Sequence, residues 1–394
     1  MKKLIFVAVN IFIGVLIGSA TVYAQEEGQP KVTVATNPMK VNPAEYLDRI
    51  KLPPGFKISI YTDQVQGARS MTLGKNGTLF VGTNSDFGKP AIGKVYAVVD
   101  ANGDSKVDKV YTIAEGLNYP NGVAFRDGDL YIAELSRILR LDDIEKKLEN
   151  PPKPAVVNDS FPSDYHHGWK YIAFGPDGKL YVPVGAPCNI CEPDPQHSVI
   201  YRLNPDGSGK EVFARGIRNS VGFDWNPETK VMWFTDNGRD LWGDDRPPEE
   251  LNRAPKPGLH FGFPYRYGKS LVDNTYQTAM TDADFTPAEL EMPAHTAGLG
   301  IQFYTGSSFP EEYKNQLFIA HHGSWNRDPP QGYRIALAKI RDGHATSYEI
   351  FASGWLTKDH KYWGRPVDIE ILPDGSLLVS DDFNGVIYRI SYEG

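Results

Sequence analysis

Five short segments of this sequence place chemically reactive side chains beside β-prone runs. They read YHHG (165–168), GIRN (216–219), TDNGRD (235–240), HHGSWNR (321–327) and GRP (364–366). Histidine is largely neutral near pH 7 and can take a proton from a substrate, whereas arginine binds carboxylates through paired hydrogen bonds. The segments therefore contain candidate bases, His166 and His167, and candidate arginine ligands for an anion.

The sequence has two cysteines, Cys188 and Cys191, in the run PCNIC. In an oxidising compartment we expect the two to form a disulfide with each other. A redox-active pair is one alternative, and free thiols or a metal site, with His197 as a nearby ligand, is another. Haem attachment would need a histidine after the second cysteine, and Glu192 stands there instead.

The run DANGDSKVD (100–108) places oxygen-bearing side chains at alternating positions. This pattern resembles the start of a calcium-binding loop. Ser105, however, stands where such a loop usually has glycine, and Tyr111 stands where it has a bidentate glutamate. The run is therefore either a plain polar turn or a second, weaker calcium site formed by Asp100, Asn102, Asp104 and Asp108.

The element that must position these residues is a phrase that occurs six times: an apolar residue, a tight turn, and then Leu-Tyr-Val or a close variant. The copies span 73–81, 125–132, 174–182, 225–234, 309–319 and 371–379. Each copy predicts a β-hairpin, and the spacing of about 50 residues between the first three is that of a four-stranded blade. We therefore predict an all-β fold, a six-bladed β-propeller with four-stranded antiparallel blades.

The order of the elements adds two predictions about this propeller. The early β-run 57–61 is expected to pair with 386–391 and so complete the last blade. The long interval between Asp236 and Leu299 is expected to be an insertion loop, and long loops on a compact scaffold tend to be functional.

Sequence composition divides the chain and limits its partners. Lys2 and Lys3, an apolar centre over 4–17 and Val22-Tyr23-Ala24 predict a signal peptide over 1–24, with an uncleaved membrane anchor as the alternative. A polar leader (25–50) and the propeller (51–394) follow, and we expect no stable membrane insertion after cleavage. A net charge of −8 without a long basic run argues against nucleic acid as a partner. The predicted location is the periplasm or the exterior.

The motifs together resemble the soluble glucose/sorbosone dehydrogenase family, quinoproteins that bind pyrroloquinoline quinone (PQQ) on a six-bladed propeller. The resemblance covers about 52–390. It rests on His167 before Gly175-Pro176-Asp177-Gly178, on the GIRN and TDNG runs, and on Glu250-Leu251-Asn252 followed by Gly262-Phe263-Pro264. The PCNIC, HHGSWNR and GRP runs are more similar to the sorbosone dehydrogenase branch.

This resemblance implies a PQQ- and calcium-dependent oxidation of a sugar, or of a related polyol or aldehyde. His167 would be the base, with hydride passing to the quinone and then to an acceptor such as a cytochrome or a quinone. Arg218 and Asn219 would contact the quinone end, and Arg218 would also polarise the oxygen that gains charge. Arg327, Arg365 and His322 are the candidates for binding the PQQ carboxylates, and the main-chain carbonyls of Gly238 and Arg239 for binding calcium.

Two positions depart from the family pattern. His166 stands where the family often has an acid that orients the base, and HHGSWNR contains no clear match to the family's cofactor lysine. Two other hypotheses therefore remain open. One is a calcium-dependent lactone or ester hydrolase on a similar propeller, and the other is a binding propeller without catalytic activity.

Overall fold

The computed structural model of the chain describes residues 37–83 and 92–394. These residues form six sheets with four antiparallel core strands each, one after another along the chain, and a separate two-stranded sheet. The first strand, β1 (Phe56–Thr62), belongs to the last sheet. No α-helix occurs within the described ranges, where the helical residues form single 3-10 turns, at Pro43–Glu45, Leu47–Arg49, Ile144–Lys146, Asp282–Asp284 and Glu311–Tyr313.

The first three blades follow β1 in the order of the sequence. Blade one contains β2 (Ala68–Leu73), β3 (Leu79–Thr83), β4 (Gly93–Val99) and β5 (Lys109–Leu117). Blade two contains β6 (Gly122–Arg126), β7 (Asp129–Ala133), β8 (Ile138–Leu141) and β9 (Ala155–Asn158). Blade three contains β10 (Ala173–Phe174), β11 (Leu180–Val184), β12 (Val199–Leu203) and β13 (Glu211–Arg215).

The interval between Asp236 and Leu299, predicted as one insertion loop, contains the last two strands of blade four, and the insertion lies between those two strands. Blade four begins with β14 (Phe223–Trp225), β15 (Met232–Asp236) and β16 (Glu249–Ala254). The insertion then adds β17 (Leu259–His260), which pairs in parallel with β13, and a small hairpin of β18 (Arg266–Tyr267) and β19 (Leu271–Val272). The outer strand β20 (Leu290–Met292) completes the blade.

The last two blades close the ring. Blade five contains β21 (Gly298–Phe303), β22 (Leu317–His321), β23 (Arg334–Arg341) and β24 (His344–Ser353). Blade six contains β25 (Pro366–Ile371), β26 (Leu377–Asp381), β27 (Val386–Tyr392) and the N-terminal strand β1. The predicted closure is confirmed, since Lys57 pairs with Ser391 and Ile58 with Ile390.

All six copies of the repeated phrase connect the first strand of a blade to its second strand. The predicted all-β, six-bladed propeller is therefore confirmed. The first strands pack beside one another around the axis, as the contacts of β2 with β6 and β25 show. Six hydrophobic clusters fill the interfaces between neighbouring blades within the described ranges, for example the cluster in which the rings of Phe80 and Phe125 stack at 5.7 Å.

The predicted N-terminal segments are only partly within the described residues. The signal-peptide prediction for 1–24 lies outside them, as does 25–36 of the predicted leader. From residue 37 the leader contacts the propeller: the Met39 N–H donates to the Tyr362 carbonyl at 2.8 Å, and Ile50 lies in the core between blades five and six. Within the described ranges, no helix is long and apolar enough to cross a bilayer.

Candidate active site

The five reactive segments lie at one end of the propeller, opposite the repeated hairpin turns. Each follows a second strand or precedes a first strand, and antiparallel pairing brings those two strand ends to the same side. YHHG precedes β10, GIRN precedes β14 and GRP precedes β25, whereas TDNGRD overlaps the end of β15 and HHGSWNR the end of β22. We call this side the funnel end.

His167 is held in one orientation by a backbone contact. Its Nδ1 lies 2.8 Å from the Ala186 carbonyl oxygen, so Nδ1 carries the proton and donates it. The Nε2 atom then has a free lone pair, as a general base requires. The approach is close, because a Cβ at Gly185 would lie 2.5 Å from the His167 Cβ.

The environment of His167 favours the neutral imidazole. Burial lowers the pKa of His167 well below its ordinary value, and the charges of Arg218 and His166 act in the same direction. Burial also lowers the pKa of His166, and the charge of Arg218 adds a smaller effect in the same direction. The two rings meet edge to face with their centroids 4.1 Å apart. His167 is therefore unprotonated at neutral pH and able to accept a proton.

The Arg218 guanidinium is fixed by four hydrogen bonds. Its Nε donates to the Asn189 carbonyl at 2.9 Å, and its Nη2 donates to the Asn189 side-chain oxygen and to Asp240, both at 2.9 Å. Its Nη1 donates to the Asn237 carbonyl at 3.1 Å. A guanidinium has five N–H groups, so one N–H on Nη1 remains for a ligand within the described structure.

Asp236 holds the backbone of the GIRN segment. Its carboxylate accepts from the Arg218 N–H at 2.9 Å and from the Asn219 N–H at 2.6 Å. Burial raises the pKa of Asp236 to about 7, although these N–H groups oppose that shift. The side chain of Asn219 is half-buried on the same strand end.

Gly238 and Arg239 follow directly and are anchored by other groups. The Gly238 N–H donates to Glu249 at 3.0 Å, and the Arg239 Nη1 donates to Asp273 at 2.7 Å. Within the described residues, no protein group donates a hydrogen bond to the carbonyl of Gly238 or Arg239. Neither carbonyl oxygen is therefore occupied by a protein donor, and calcium binding by the two stays a prediction.

A second polar cluster joins blades one, five and six. His322 Nε2 lies 2.9 Å from Asp382, and Arg69 Nη1 lies 2.6 Å from the other oxygen of the same carboxylate. Arg365 Nη2 lies 2.8 Å from His322 Nδ1. We call Arg69, His322, Arg365 and Asp382 the cationic cluster, because it contains two arginines and one carboxylate.

Burial and charge set the protonation of this cluster. Burial lowers the pKa of His322 to about 4, and Arg365 acts in the same direction, so its imidazole is neutral near pH 7. Burial would raise the pKa of Asp382, but His322, Arg69 and Arg365 outweigh it and hold the carboxyl ionised. The cluster thus carries a net positive charge at neutral pH.

Two donor atoms of the cationic cluster, Arg69 Nη2 and Arg365 Nε, are buried without a partner within the described structure. An unpaired buried donor costs about 1–3 kcal/mol, so the acceptor oxygens of a ligand would stabilise both groups. A polycarboxylate such as PQQ fits this donor set.

The structure brings some predicted residues together and separates others. Arg365 and His322 share the cationic cluster, whereas the Arg327 guanidinium contacts Asp245 at 2.8 Å and the Pro329 carbonyl. Cys188 and Cys191 form the predicted disulfide, with Cα atoms 6.1 Å apart. Its loop lies at the funnel end, where Asn189 contacts Arg218.

The predicted second calcium site lies at the opposite end of the propeller, between β4 and β5. Asp100 accepts from the N–H groups of Gly103 and Ser105 at 2.8 and 2.7 Å, and Asp108 accepts from Ala101 at 2.7 Å. These contacts are those of a self-bonded polar turn. Within residues 37–83 and 92–394, no group of three or more His, Cys, Asp or Glu side chains could hold a metal ion.

The sequence patterns missed three residues of the site: Arg69, Asn189 and Asp382. Arg69 is fully buried in the first strand of blade one, among apolar and small residues. A charged residue within an inner strand was the sequence feature that could have identified it. Asn189 lies between the two cysteines, and Asp382 follows β26 at the position that TDNGRD and HHGSWNR hold in their blades.

Comparisons with known proteins place this geometry in a family. The model of the family described as "Domain of unknown function (DUF7133)" matches residues 42–390. The chain belongs to this family. A Borreliella burgdorferi protein described as "Uncharacterized protein" is 36% identical over 372 residues, which cover 89% of this chain and 92% of that protein. The family therefore extends over the whole propeller.

The chain is also similar to part of a PQQ-dependent enzyme in sequence and to two solved structures in fold. The PQQ-dependent pyranose dehydrogenase of Coprinopsis cinerea is 29% identical over 167 residues, which are 36% of this chain and 21% of that protein. Its holo PQQ domain superposes with a TM-score of 0.72 at 18% identity, covering 87% of this chain and 97% of that domain. The calcium structure of a Trichoderma reesei family AA12 enzyme superposes with a TM-score of 0.74 at 19% identity. The match covers 91% of this chain and 99% of that chain. The predicted resemblance to PQQ dehydrogenases is confirmed; a place in the sorbosone dehydrogenase branch stays a prediction.

Proposed function

We propose that this protein is an exported PQQ- and calcium-dependent dehydrogenase that oxidises a sugar or a related alcohol or aldehyde. The observation that carries the proposal is the pairing of a neutral, backbone-oriented His167 with a fixed Arg218 whose guanidinium retains one N–H. A base and a cation at one site are what removal of a hydroxyl proton during oxidation requires. The likeness to a PQQ-dependent pyranose dehydrogenase supports the same class.

The residues of the funnel end match the chemistry of PQQ. Arg69 and Arg365, with their unpartnered nitrogens, would bind its carboxylates, and Arg218 with Asn219 would contact the quinone end. When bound, the quinone supplies the acceptor for the hydride. His322 would gain a proton more readily beside a bound carboxylate, because an added negative charge favours imidazolium.

Calcium fits the open carbonyls of Gly238 and Arg239. Calcium prefers oxygen ligands, including backbone carbonyls, and acts as a Lewis acid. The acidic side chains of Asp236 and Glu249 are buried nearby, and burial raises the pKa of Glu249 to about 8. We propose that they support the loop and do not ligate the ion, because both accept hydrogen bonds from main-chain N–H groups.

The chain's own groups account for the proton in this reaction. The Nε2 atom of His167 would accept the substrate hydroxyl proton, while the Ala186 carbonyl keeps the proton on Nδ1. Burial and the nearby Arg218 charge lower the pKa of His167, so the resulting imidazolium is a stronger acid than a free one and returns the proton to solvent more readily. Arg218 would also stabilise negative charge that develops on the reacting oxygen. A separate cytochrome or quinone would then reoxidise the cofactor.

Reconstitution tests this proposal. We expect the apoprotein with PQQ and calcium to bind the cofactor, with a change in its absorbance, and to oxidise members of an aldose panel with an artificial electron acceptor. His167→Ala should lower kcat at least about 100-fold, the usual contribution of a general base. His344→Ala is the matched control, because His344 is exposed at the end of the propeller opposite the funnel end. No absorbance change and no turnover in the wild type would overturn the proposal.

A further inference from the structure

The disulfide loop supports both reactive side chains of the candidate active site. Ala186 accepts from His167 Nδ1 at 2.8 Å, and its own N–H donates to the Arg218 carbonyl at 2.8 Å. Three residues later, Asn189 accepts from the Arg218 guanidinium through both its main-chain and side-chain oxygens. One short segment thus fixes the base, the backbone of the arginine and its guanidinium.

Asn189 contacts a second residue of this site. Its side-chain oxygen accepts from the Asp240 N–H at 2.8 Å, and its side-chain amide donates to the Asp240 carbonyl at 3.1 Å. Asp240 in turn accepts from Arg218 Nη2. Asn189, Asp240 and Arg218 therefore form a closed triangle, in which loss of the Asn189 side chain removes one acceptor from the arginine and leaves the Asp240 N–H and carbonyl without this partner.

The segment from 185 to 198 has no strand or helix to keep Asn189 in place. The Cys188–Cys191 bond closes a ring around Asn189 and Ile190. Cys188 also packs against the hydrophobic cluster of Ala186, Phe263 and Tyr267, where the insertion of blade four meets the loop. A cross-link limits the conformations open to such a loop.

We infer that Asn189 is a positioning residue for Arg218 and that the Cys188–Cys191 disulfide is part of this positioning device. The inference rests on the proposed function for its effect on turnover. An arginine side chain has many accessible rotamers, so a guanidinium that loses part of its acceptor set samples other positions. Oxidising conditions are then needed for full activity as well as for stability.

The first test compares Asn189→Ala with Glu192→Gln. Glu192 lies just outside the ring and accepts from Tyr265 at 3.0 Å, so this control changes the same loop without touching Arg218. We expect Asn189→Ala to lower kcat about ten-fold, as loss of a hydrogen bond to a charged group predicts, with KM within about two-fold. Glu192→Gln should change neither. Circular dichroism and the unfolding temperature check that both variants fold.

The second readout needs neither cofactor nor turnover. The charged or titratable groups that act on His167 are Arg218 and His166, and its Nδ1 faces the Ala186 carbonyl. If Arg218 moves away, one of the forces that lower the pKa of His167 is weakened. NMR titration of labelled histidines in the apoprotein, assigned with His167→Ala, should therefore show a higher pKa for His167 in Asn189→Ala and no change in Glu192→Gln.

The double variant Cys188→Ser/Cys191→Ser tests the disulfide and serves if Asn189→Ala does not fold. We expect this double variant also to have a lower kcat and a higher pKa of His167 than the wild type. A fall in kcat without a shift of the His167 titration, or a shift without a fall, overturns the inference, as does no change in either. If wild-type protein shows no turnover, the proposed function fails, and the titration alone decides whether Asn189 positions Arg218.

Discussion

At the scale of single residues, Arg69 illustrates how a buried charge can indicate a ligand. Its side chain is fully buried, and its guanidinium lies 4.5 Å from the centre of the Trp169 ring. Asp382 and Asn121 each accept from it, but Nη2 has no partner within the described structure. A fully paired arginine would have a structural role only, whereas this one retains a donor.

We predict that Arg69→Met weakens PQQ binding to the apoprotein by at least about ten-fold. The change removes a donor and also leaves the Asp382 carboxylate with less compensation, so that it repels an incoming carboxylate. Quenching of tryptophan fluorescence during a PQQ titration measures the affinity. Arg389→Met, which breaks an ion pair with Asp374 at the hairpin end, is the control. Equal affinities in wild type and Arg69→Met would contradict a ligand role.

At the scale of elements, β1 is the strand that closes the propeller. Phe56 begins it and is 9% exposed. Its ring makes close contacts with four aromatic rings, with centroid distances of 4.7–5.2 Å, from Phe309, Tyr313, Phe351 and Tyr392. Because these rings belong to blades five and six, one side chain ties the N-terminal strand to both of them.

We predict that Phe56→Ala lowers the free energy of unfolding by about 3–5 kcal/mol, the range for a buried phenylalanine. Denaturant unfolding followed by circular dichroism measures the change. The neighbouring Lys57→Ala breaks only an exposed ion pair with Glu393 and should change stability by less than about 1 kcal/mol. If both variants were equally stable, β1 would not be required for closure.

At the scale of the whole molecule, the innermost strands of the propeller contain acidic side chains that are buried, as Asp368 is, or half-buried, as Asp224 and Glu370 are. Burial raises the pKa of Asp224 and Asp368 to about 7 and that of Glu370 to about 8. Asp224 and Asp368 accept main-chain N–H groups of the neighbouring inner strands, from Phe303 at 2.7 Å and Met71 at 2.8 Å. These carboxyls therefore connect adjacent blades around the axis.

The raised pKa values make stability depend on pH in a stated direction. A carboxyl whose folded pKa exceeds its unfolded value stabilises the protein below about pH 4, and this stabilisation is lost as the pH rises through 7–8. His260 and His322 have lowered pKa values of about 4, so they make stability rise with pH between about pH 4 and pH 6.5 and have no effect above that range. Burial lowers the pKa of Lys170 to about 7, so this one side chain makes stability rise with pH above about pH 7 and offsets part of the loss caused by the carboxyls.

We therefore predict that the unfolding temperature of the calcium-free apoprotein falls between pH 6.5 and pH 8. Each carboxyl contributes up to about 1.4 kcal/mol per pH unit below its folded pKa, and this contribution falls to zero above that pKa. Calorimetry at a series of pH values measures the slope, and Asp224→Asn should reduce it. A flat profile, or an equal slope in Asp224→Asn, would show that these carboxyls do not titrate as their burial requires.

The sequence by itself determined the fold. Each hairpin phrase contains its own turn residues and apolar positions, so local patterns were enough to predict six blades and the pairing of 57–61 with 386–391. Residue type and local spacing were also enough to predict that His167, Arg218 and Arg365 are reactive residues and that the two cysteines form a pair.

The membership of the site was decided only by the tertiary structure. Asp382 contacts Arg69 across 313 residues of sequence, and Asn189 contacts Arg218 across 29. Arg327, which its sequence context assigned to the anion site, instead pairs with Asp245. Hydrogen bonds depend on distances and directions between side chains, and these are set by the closure of the ring. Spacing along the chain therefore identified the funnel loops but not the partners within them.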